Sequence, residues 1–254
     1  MPAPTNNFKA KLEAGDTQIG CWVGFASSYA AEVTAAAGFD WLLIDGEHAP
    51  NDLRTTLEQL QIIQNSPAEA AVRLPTDETW MIKQYLDAGA QTLLIPMVES
   101  AAQAKQLVKA TRYPPYGVRG VGAALARASN FGEIDDYIYT ADEQICLLVQ
   151  VESKAGLENL DEILAVDGVD GVFIGPADLA ADMGYLGNPG APEVRKAVID
   201  ATKRICESDK ASGILTFDET LTNECIELGA TFVAVGVDIM TYAKAINELR
   251  SRFK

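Results

Sequence analysis

The stretch Asp45-Gly46-Glu47-His48 sets two carboxylates beside the only histidine of the chain, directly after an apolar run. An imidazole exchanges protons near neutrality, so His48 in such a loop is a candidate general base. A lone histidine is also commonly structural. Arg73 emerges near the end of EAAVRLP, and a guanidinium on a buried strand needs an anionic or carbonyl partner. Gln150 and Glu152 end LLVQVE, and Asp178 follows GVFIGPA. Two carboxylates such as Glu152 and Asp178 can converge on one hard divalent cation, Mg2+ or Mn2+, and leave sites for water and a bidentate ligand. The same acids also fit plainer roles as helix caps or solvated charges, and Asp178 in PADLAADM reads as a cap before a helix.

Residues spread from 45 to 178 meet only if the fold gathers strand ends, and the remaining sequence has that grammar. Short β-branched and apolar runs fall at 18–25, 39–45, 69–75, 92–98, 145–152, 169–176, 211–217 and 231–237. Amphipathic stretches separate them, with no Ser/Gly-rich linker or low-complexity block between. The strands are nearly continuous apolar runs, as parallel strands covered on both faces require. AAGFDWLLID, DAGAQTLLIP, VDGVDGVFIG and ELGATFVAVG each place Gly between helix and strand, where a left-handed residue ends a helix. The expected fold is α/β, one (β/α)8 TIM barrel spanning 1–254, with an open doubly wound sheet as the alternative; about 250 residues is the usual barrel size. FKAKLEAG should cap the barrel bottom, and 113–141 is the one long excursion. In a barrel of this kind the strand C-terminal ends face one mouth and carry the chemistry.

Composition narrows the partners. With 36 Asp and Glu against 20 Lys and Arg, the net charge of −16 repels phosphate backbones and anionic membranes, so neither nucleic acid nor membrane is expected. An anionic substrate must then find a local cation, Arg or metal, within its pocket. The start lacks an apolar signal core, and no segment reaches the roughly 18 apolar residues of a membrane span, so a soluble, cytoplasmic protein is expected. Cys21, Cys146, Cys206 and Cys225 are far apart and read as buried thiols. One histidine excludes a multi-histidine zinc site.

The stretches FDWLLIDGEHAPN, TLLIPMV, RYPPYGVRGVGAALARAS, LLVQVE, VDGVFIGPADLAADMGYLGNP and FVAVGVD resemble, in order and over nearly the whole chain, motifs of the HpcH/HpaI family of class II pyruvate-dependent aldolases. The resemblance implies a phosphoenolpyruvate/pyruvate-type barrel whose divalent metal (Mg2+, Mn2+ or Co2+) is held by Glu152 and Asp178. It also implies that Gln150 contacts substrate, that the amides of Ala177 and Asp178 hold the pyruvate carboxylate, that His48 is the base and that Arg73 stabilises charge on the keto and departing oxygens. The implied substrate is 4-hydroxy-2-oxoheptane-1,7-dioate, an acid of aromatic-compound breakdown, cleaved to pyruvate and succinate semialdehyde. Sugar-acid substrates of the 2-dehydro-3-deoxy type are the alternative, and loops near 119–130 and around Phe217 would decide the aldehyde. The partner of the histidine maps to Asp87 in QYLDAG, near the opposite rim, so it would act from a neighbouring subunit unless Asp45 orients the ring instead. A homo-oligomer is implied too, a hexamer built as a trimer of dimers that exchange their last helix.

Four rivals stand beside this reading. A Schiff-base aldolase needs a lysine in the mouth, for which Lys154 is the candidate. A lyase acting on a CoA thioester would need a basic cluster that the chain does not offer, and a paired-carboxylate glycosidase would need an aromatic sugar platform. A sensor that binds a 2-oxo acid without catalysis would retain the pocket yet leave the methyl protons of pyruvate unexchanged.

Overall fold

The computed structural model describes residues 1–253. Eight strands, β1 (Gln18–Val23), β2 (Trp41–Asp45), β3 (Glu69–Arg73), β4 (Thr92–Ile95), β5 (Cys146–Val151), β6 (Gly171–Ile174), β7 (Ala211–Leu215) and β8 (Phe232–Val237), form a closed, all-parallel barrel in sequence order. The expected (β/α)8 barrel is therefore the fold.

Side chains alternate across each strand, and the alternation decides what reaches the mouth. On β2, Leu42 and Ile44 pack outward against the helices, whereas Trp41 and Leu43 point into the barrel. Asp45 has the parity of Trp41 and Leu43, so it must point inward at the strand end. The same count on β3 sends Val72 out and Ala71 in, and on β5 sends Leu147 and Val149 out and Cys146 and Leu148 in. Arg73, Gln150 and Glu152 inherit the inward parity.

Beneath this polar layer the barrel is filled with aromatic rings. Phe8, Trp22, Trp41, Phe173 and Phe232 form one contiguous cluster with centroids 5.4–6.2 Å apart. Phe8 comes from the helix Asn7–Glu13, which closes the bottom as expected. The rings fit because two inward positions carry no side chain: a Cβ on Gly20 would run into Trp41, and one on Gly213 into Phe232.

Gly38, Gly89, Gly168 and Gly229, the repeated helix-to-strand glycines, all have positive φ, from 89° to 106°. The excursion at 113–141 holds two short 3-10 turns and the helix Tyr137–Gln144, and packs Tyr113 and Tyr137 against Ala3. The last helix, Asp238–Ser251, buries none of its side chains, leaving Met240, Tyr242, Ile246 and Leu249 exposed. No helix among the described residues is long and apolar enough to cross a membrane.

Overpacking this filled interior should be costly. Gly213→Val is expected to lower stability by about 2 kcal/mol or more, read as a reduced urea midpoint, whereas Gly190→Ala, whose Cβ meets its nearest atom at 3.9 Å, should stay within about 0.5 kcal/mol. Equal midpoints for the two variants would contradict the packing described.

Candidate active site

Asp45 and Arg73 are register partners on adjacent strands, and the inward parity brings their side chains together. Arg73 donates from Nε to Asp45 Oδ1 at 2.9 Å and from Nη2 to Oδ2 at 2.8 Å, a bidentate fork sealed from solvent. Burial pushes the Asp45 carboxyl up, but the Arg73 fork outweighs it and leaves Asp45 below the usual range. Glu47 Oε2 lies 2.8 Å from Arg73 Nη1, but off the hydrogen-bonding direction, so that contact is Coulombic and the oxygen keeps no donor. Burial raises the Glu47 carboxyl, with Arg73 and His48 only partly offsetting it. The guanidinium rests over Trp22, 5.6 Å from the ring centroid, so the aromatic floor supports the charged layer from below.

Glu152 follows β5 immediately and is 3% exposed. Its Oε1 accepts the backbone N–H of Met97 at 3.0 Å, and its Oε2 accepts from the Gln150 amide. Met97 can aim that N–H because it takes a left-handed φ of 53°, and β4 ends at Ile95, three residues short of the expected 92–98 run. Gly175 completes the cradle, since a Cβ there would collide with Glu152 Oε2. Burial pushes the Glu152 carboxyl up to about 7; the Met97 N–H opposes this, and the negative charge of Asp178 adds to it.

Asp178 is not the cap that the sequence suggested. Gly175 is the N-cap and Pro176 the first residue of the helix Pro176–Asp182, so Asp178 sits inside the first turn with its carboxylate at the rim. Proline fits there because the first helical N–H needs no partner. The amides of Ala177 and Asp178 belong to the same turn and have no acceptor within the helix.

These groups meet the test for a divalent cation. A carboxylate raised chiefly by burial and further by a second carboxylate, with the buried Gln150 Oε1 beside it lacking any donor, is an oxygen-rich set short of positive charge. Among the described residues no three His, Cys, Asp or Glu side chains cluster as metal ligands, so Glu152 and Asp178 would leave most of an octahedral shell to water and a bidentate acid.

His48 stands at the rim with its side chain 66% exposed and Nε2 3.9 Å from Glu47 Oε2. Asp45 accepts the backbone N–H of His48 at 3.4 Å and that of Glu47 at 3.0 Å, so it holds the loop and Arg73 rather than the imidazole. Asp87 lies apart, on the helix Thr79–Ala88, paired at 2.8 Å with the fully buried Arg119. Lys154 is exposed at the start of the helix Lys154–Glu158 and does not line the mouth.

A cavity of about 430 Å³ opens over these residues, lined among others by His48, Arg73, Gln150, Asp178, Arg195 and Phe217. A larger cleft of about 640 Å³ lies at the opposite end of the strands, beside Glu69, Thr92 and Arg127. It holds none of the convergent chemistry, and Arg127 there bonds the neutral Ala88 carbonyl and Gln64 amide. Sequence reasoning did not single out Met97 or Arg195. Met97 is set by a backbone angle and Arg195 by an inter-helix contact.

Residues 18–245 match the family described as HpcH/HpaI aldolase/citrate lyase. The chain is 57% identical to a hydroxypyruvate/pyruvate aldolase of Roseovarius nubinhibens over 100% of this chain and 99% of that protein. It is likewise 57% identical to a 4-hydroxy-2-oxo-heptane-1,7-dioate aldolase of Escherichia coli, over 98% of this chain and 95% of that one. Among solved structures, an HpcH/HpaI aldolase/citrate lyase family protein from Burkholderia cenocepacia J2315 superimposes with a TM-score of 0.91 at 39% identity, covering 98% of this chain and 99% of the other.

The raised Glu152 carboxyl has a direct consequence for stability. A folded-state value near 7 against the ordinary 4.5 means that the native state favours the protonated form, so the metal-free protein loses stability as pH rises from about 4.5 through about 7. Above that window Glu152→Gln should be the more stable protein, by up to about 3 kcal/mol in urea unfolding with chelator present. Parallel pH profiles for the two proteins would contradict the burial penalty.

Proposed function

The chain belongs to the HpcH/HpaI aldolase/citrate lyase family and is a lyase, and from that premise we propose that it breaks and forms the C3–C4 bond of 4-hydroxy-2-oxo acids, with pyruvate as the common product. The carrying observation is the pair Glu152 and Asp178, one buried and raised and the other at the rim, beside an arginine oriented by two carboxylates.

Glu152 and Asp178 would hold a divalent cation, Mg2+, Mn2+ or Co2+, which supplies a Lewis acid for the 2-oxo group and offsets the charge of the enolate. The first-turn amides of Ala177 and Asp178 receive the substrate carboxylate. Gln150 Oε1, free of any donor, meets the substrate at the cavity floor. Arg73 spends two N–H groups on Asp45, and the remaining donors are held still, aimed at the keto and 4-oxygens where negative charge develops. His48 takes the proton of the 4-hydroxyl. The C3–C4 bond then breaks, its electron pair stays on C3 as the pyruvate enolate, C4 leaves as an aldehyde, and a proton returns to C3.

Asp87 is the further partner proposed for His48, and it can reach the imidazole only from another protomer, because within the chain it is tied to Arg119 near the far rim. The last helix supports such an assembly: it buries nothing of its own, and Val235 on β8 stays 38% exposed where a covering helix belongs. A homo-oligomer whose subunits exchange this helix, assembled as a hexamer of three dimers, fits both facts. The acidic charge of −16 supports an enzyme acting on small molecules, away from nucleic acid and membrane.

A coupled assay for pyruvate released from 4-hydroxy-2-oxoheptane-1,7-dioate and from 2-dehydro-3-deoxyglucarate tests the reading. Chelator should abolish turnover, added Mn2+ or Mg2+ should restore it, and Glu152→Gln or His48→Ala should each cost about 100-fold or more. Full activity in chelator, with borohydride trapping pyruvate on Lys154, would replace the metal reading by the Schiff-base one. Sedimentation should find no monomer at working concentration; a stable, active monomer would reject both helix exchange and the role of Asp87.

A further inference from the structure

The mouth cavity has a reacting end and a far end, and their charges differ. At the reacting end stand Arg73, Gln150 and Asp178. At the far end stand Phe217, Asp218 and Arg195, and among the described residues no lysine lines the cavity. Arg195, on the helix Pro192–Cys206, is the only cation there, and it is already engaged: Nη1 lies 3.2 Å from Asp218 Oδ2 and Nη2 2.5 Å from Glu224 Oε2. One positive charge against two negative leaves this cluster, of which Arg195 and Asp218 line the cavity, with a net charge of −1.

Asp218 is not free to swing away. Its Oδ1 caps the helix Glu219–Glu227, accepting from the N–H groups of Thr220 at 2.9 Å and Leu221 at 3.2 Å, so the side chain that neutralises Arg195 is locked in place by the loop itself. Carboxylate oxygens at this position accept hydrogen bonds and donate none. A hydroxyl on an incoming aldehyde can donate to them, whereas a carboxylate brings only lone pairs and a like charge.

We propose that the Arg195–Asp218–Glu224 cluster selects the aldehyde partner, favouring uncharged, hydroxylated aldehydes and disfavouring those with a terminal carboxylate. The inference rests on the aldol reading above for its reaction class and adds the acceptor. It places the natural substrate among polyhydroxylated 4-hydroxy-2-oxo acids, whose supply requires dehydration of a sugar acid, rather than among linear dicarboxylates such as 4-hydroxy-2-oxoheptane-1,7-dioate. The cluster acts on acceptor affinity, not on the bond-breaking step, so its effect belongs in KM.

The test is condensation with pyruvate and Mn2+ by the full-length protein, comparing kcat/KM for succinate semialdehyde, its uncharged methyl ester and glyceraldehyde. The ester and glyceraldehyde should exceed succinate semialdehyde by tenfold or more. Asp218→Asn, which keeps the helix cap, combined with Glu224→Gln should shrink that ratio at least tenfold through KM, and Arg195→Gln should enlarge it. Raising salt should shrink the ratio in the unmodified protein, because the cluster is half-exposed. Succinate semialdehyde matching or beating its ester, or a ratio indifferent to the double substitution, overturns the proposal. Exchange of pyruvate methyl protons with deuterium, followed in the same samples, separates the failures. Exchange with a flat ratio removes only the acceptor assignment, whereas no exchange removes the aldol reading and this assignment together.

Discussion

Glu152 is a carboxylate withdrawn from water and bonded only by neutral groups, the Met97 N–H and the Gln150 amide. Burying an ionised carboxylate without a counter-charge costs several kcal/mol, and here a second carboxylate, Asp178, raises the cost further. The surroundings are shaped to hold this unfavourable arrangement. Met97 accepts a left-handed backbone at an expense of roughly 1 kcal/mol or more, and Gly175 gives up a side chain so that Glu152 has room. A positive charge brought to this position would offset that cost.

The distribution of cations follows from the same constraint. Arg73 lies close enough to compensate Glu152 in part, but its hydrogen bonds go to Asp45, and Glu47 takes its remaining Coulombic attention. Arg195 is claimed by Asp218 and Glu224. Among the described residues the mouth is therefore acidic with no spare cation, on an acidic protein, above an aromatic floor that excludes water from below. A divalent ion held by Glu152 and Asp178, as proposed, would be the missing charge on which an anionic 2-oxo acid docks, and the proposed acceptor end would disfavour a second carboxylate.

Much of this was legible in the sequence because strand parity and parallel topology are local signals. The apolar runs located all eight strands, and the four helix-ending glycines adopted the left-handed backbone that their position required. Asp45, Arg73, Gln150 and Glu152 were legible as polar residues closing apolar runs, and the alternation along each strand in the structure turns them inward. The alternative reading of Asp178 as a cap fails because a Gly-Pro start places the helix three residues earlier than an Asp cap would. The pairing of Asp45 with Arg73, rather than with the imidazole of His48, depends on inter-strand register, which sequence spacing does not encode. The left-handed Met97 and the Arg195 cluster carry no residue-type signature, since methionine rarely adopts that backbone and Arg195 looks like any solvated helix charge.

Electron paramagnetic resonance of Mn2+ titrated into chelator-treated protein, with and without pyruvate, reads the central claim directly. One Mn2+ should bind per chain, pyruvate should alter its spectrum, and Glu152→Gln should weaken binding at least 100-fold. Stoichiometric binding that is indifferent to both Glu152→Gln and Asp178→Asn would show that the buried carboxylate serves something other than a cation.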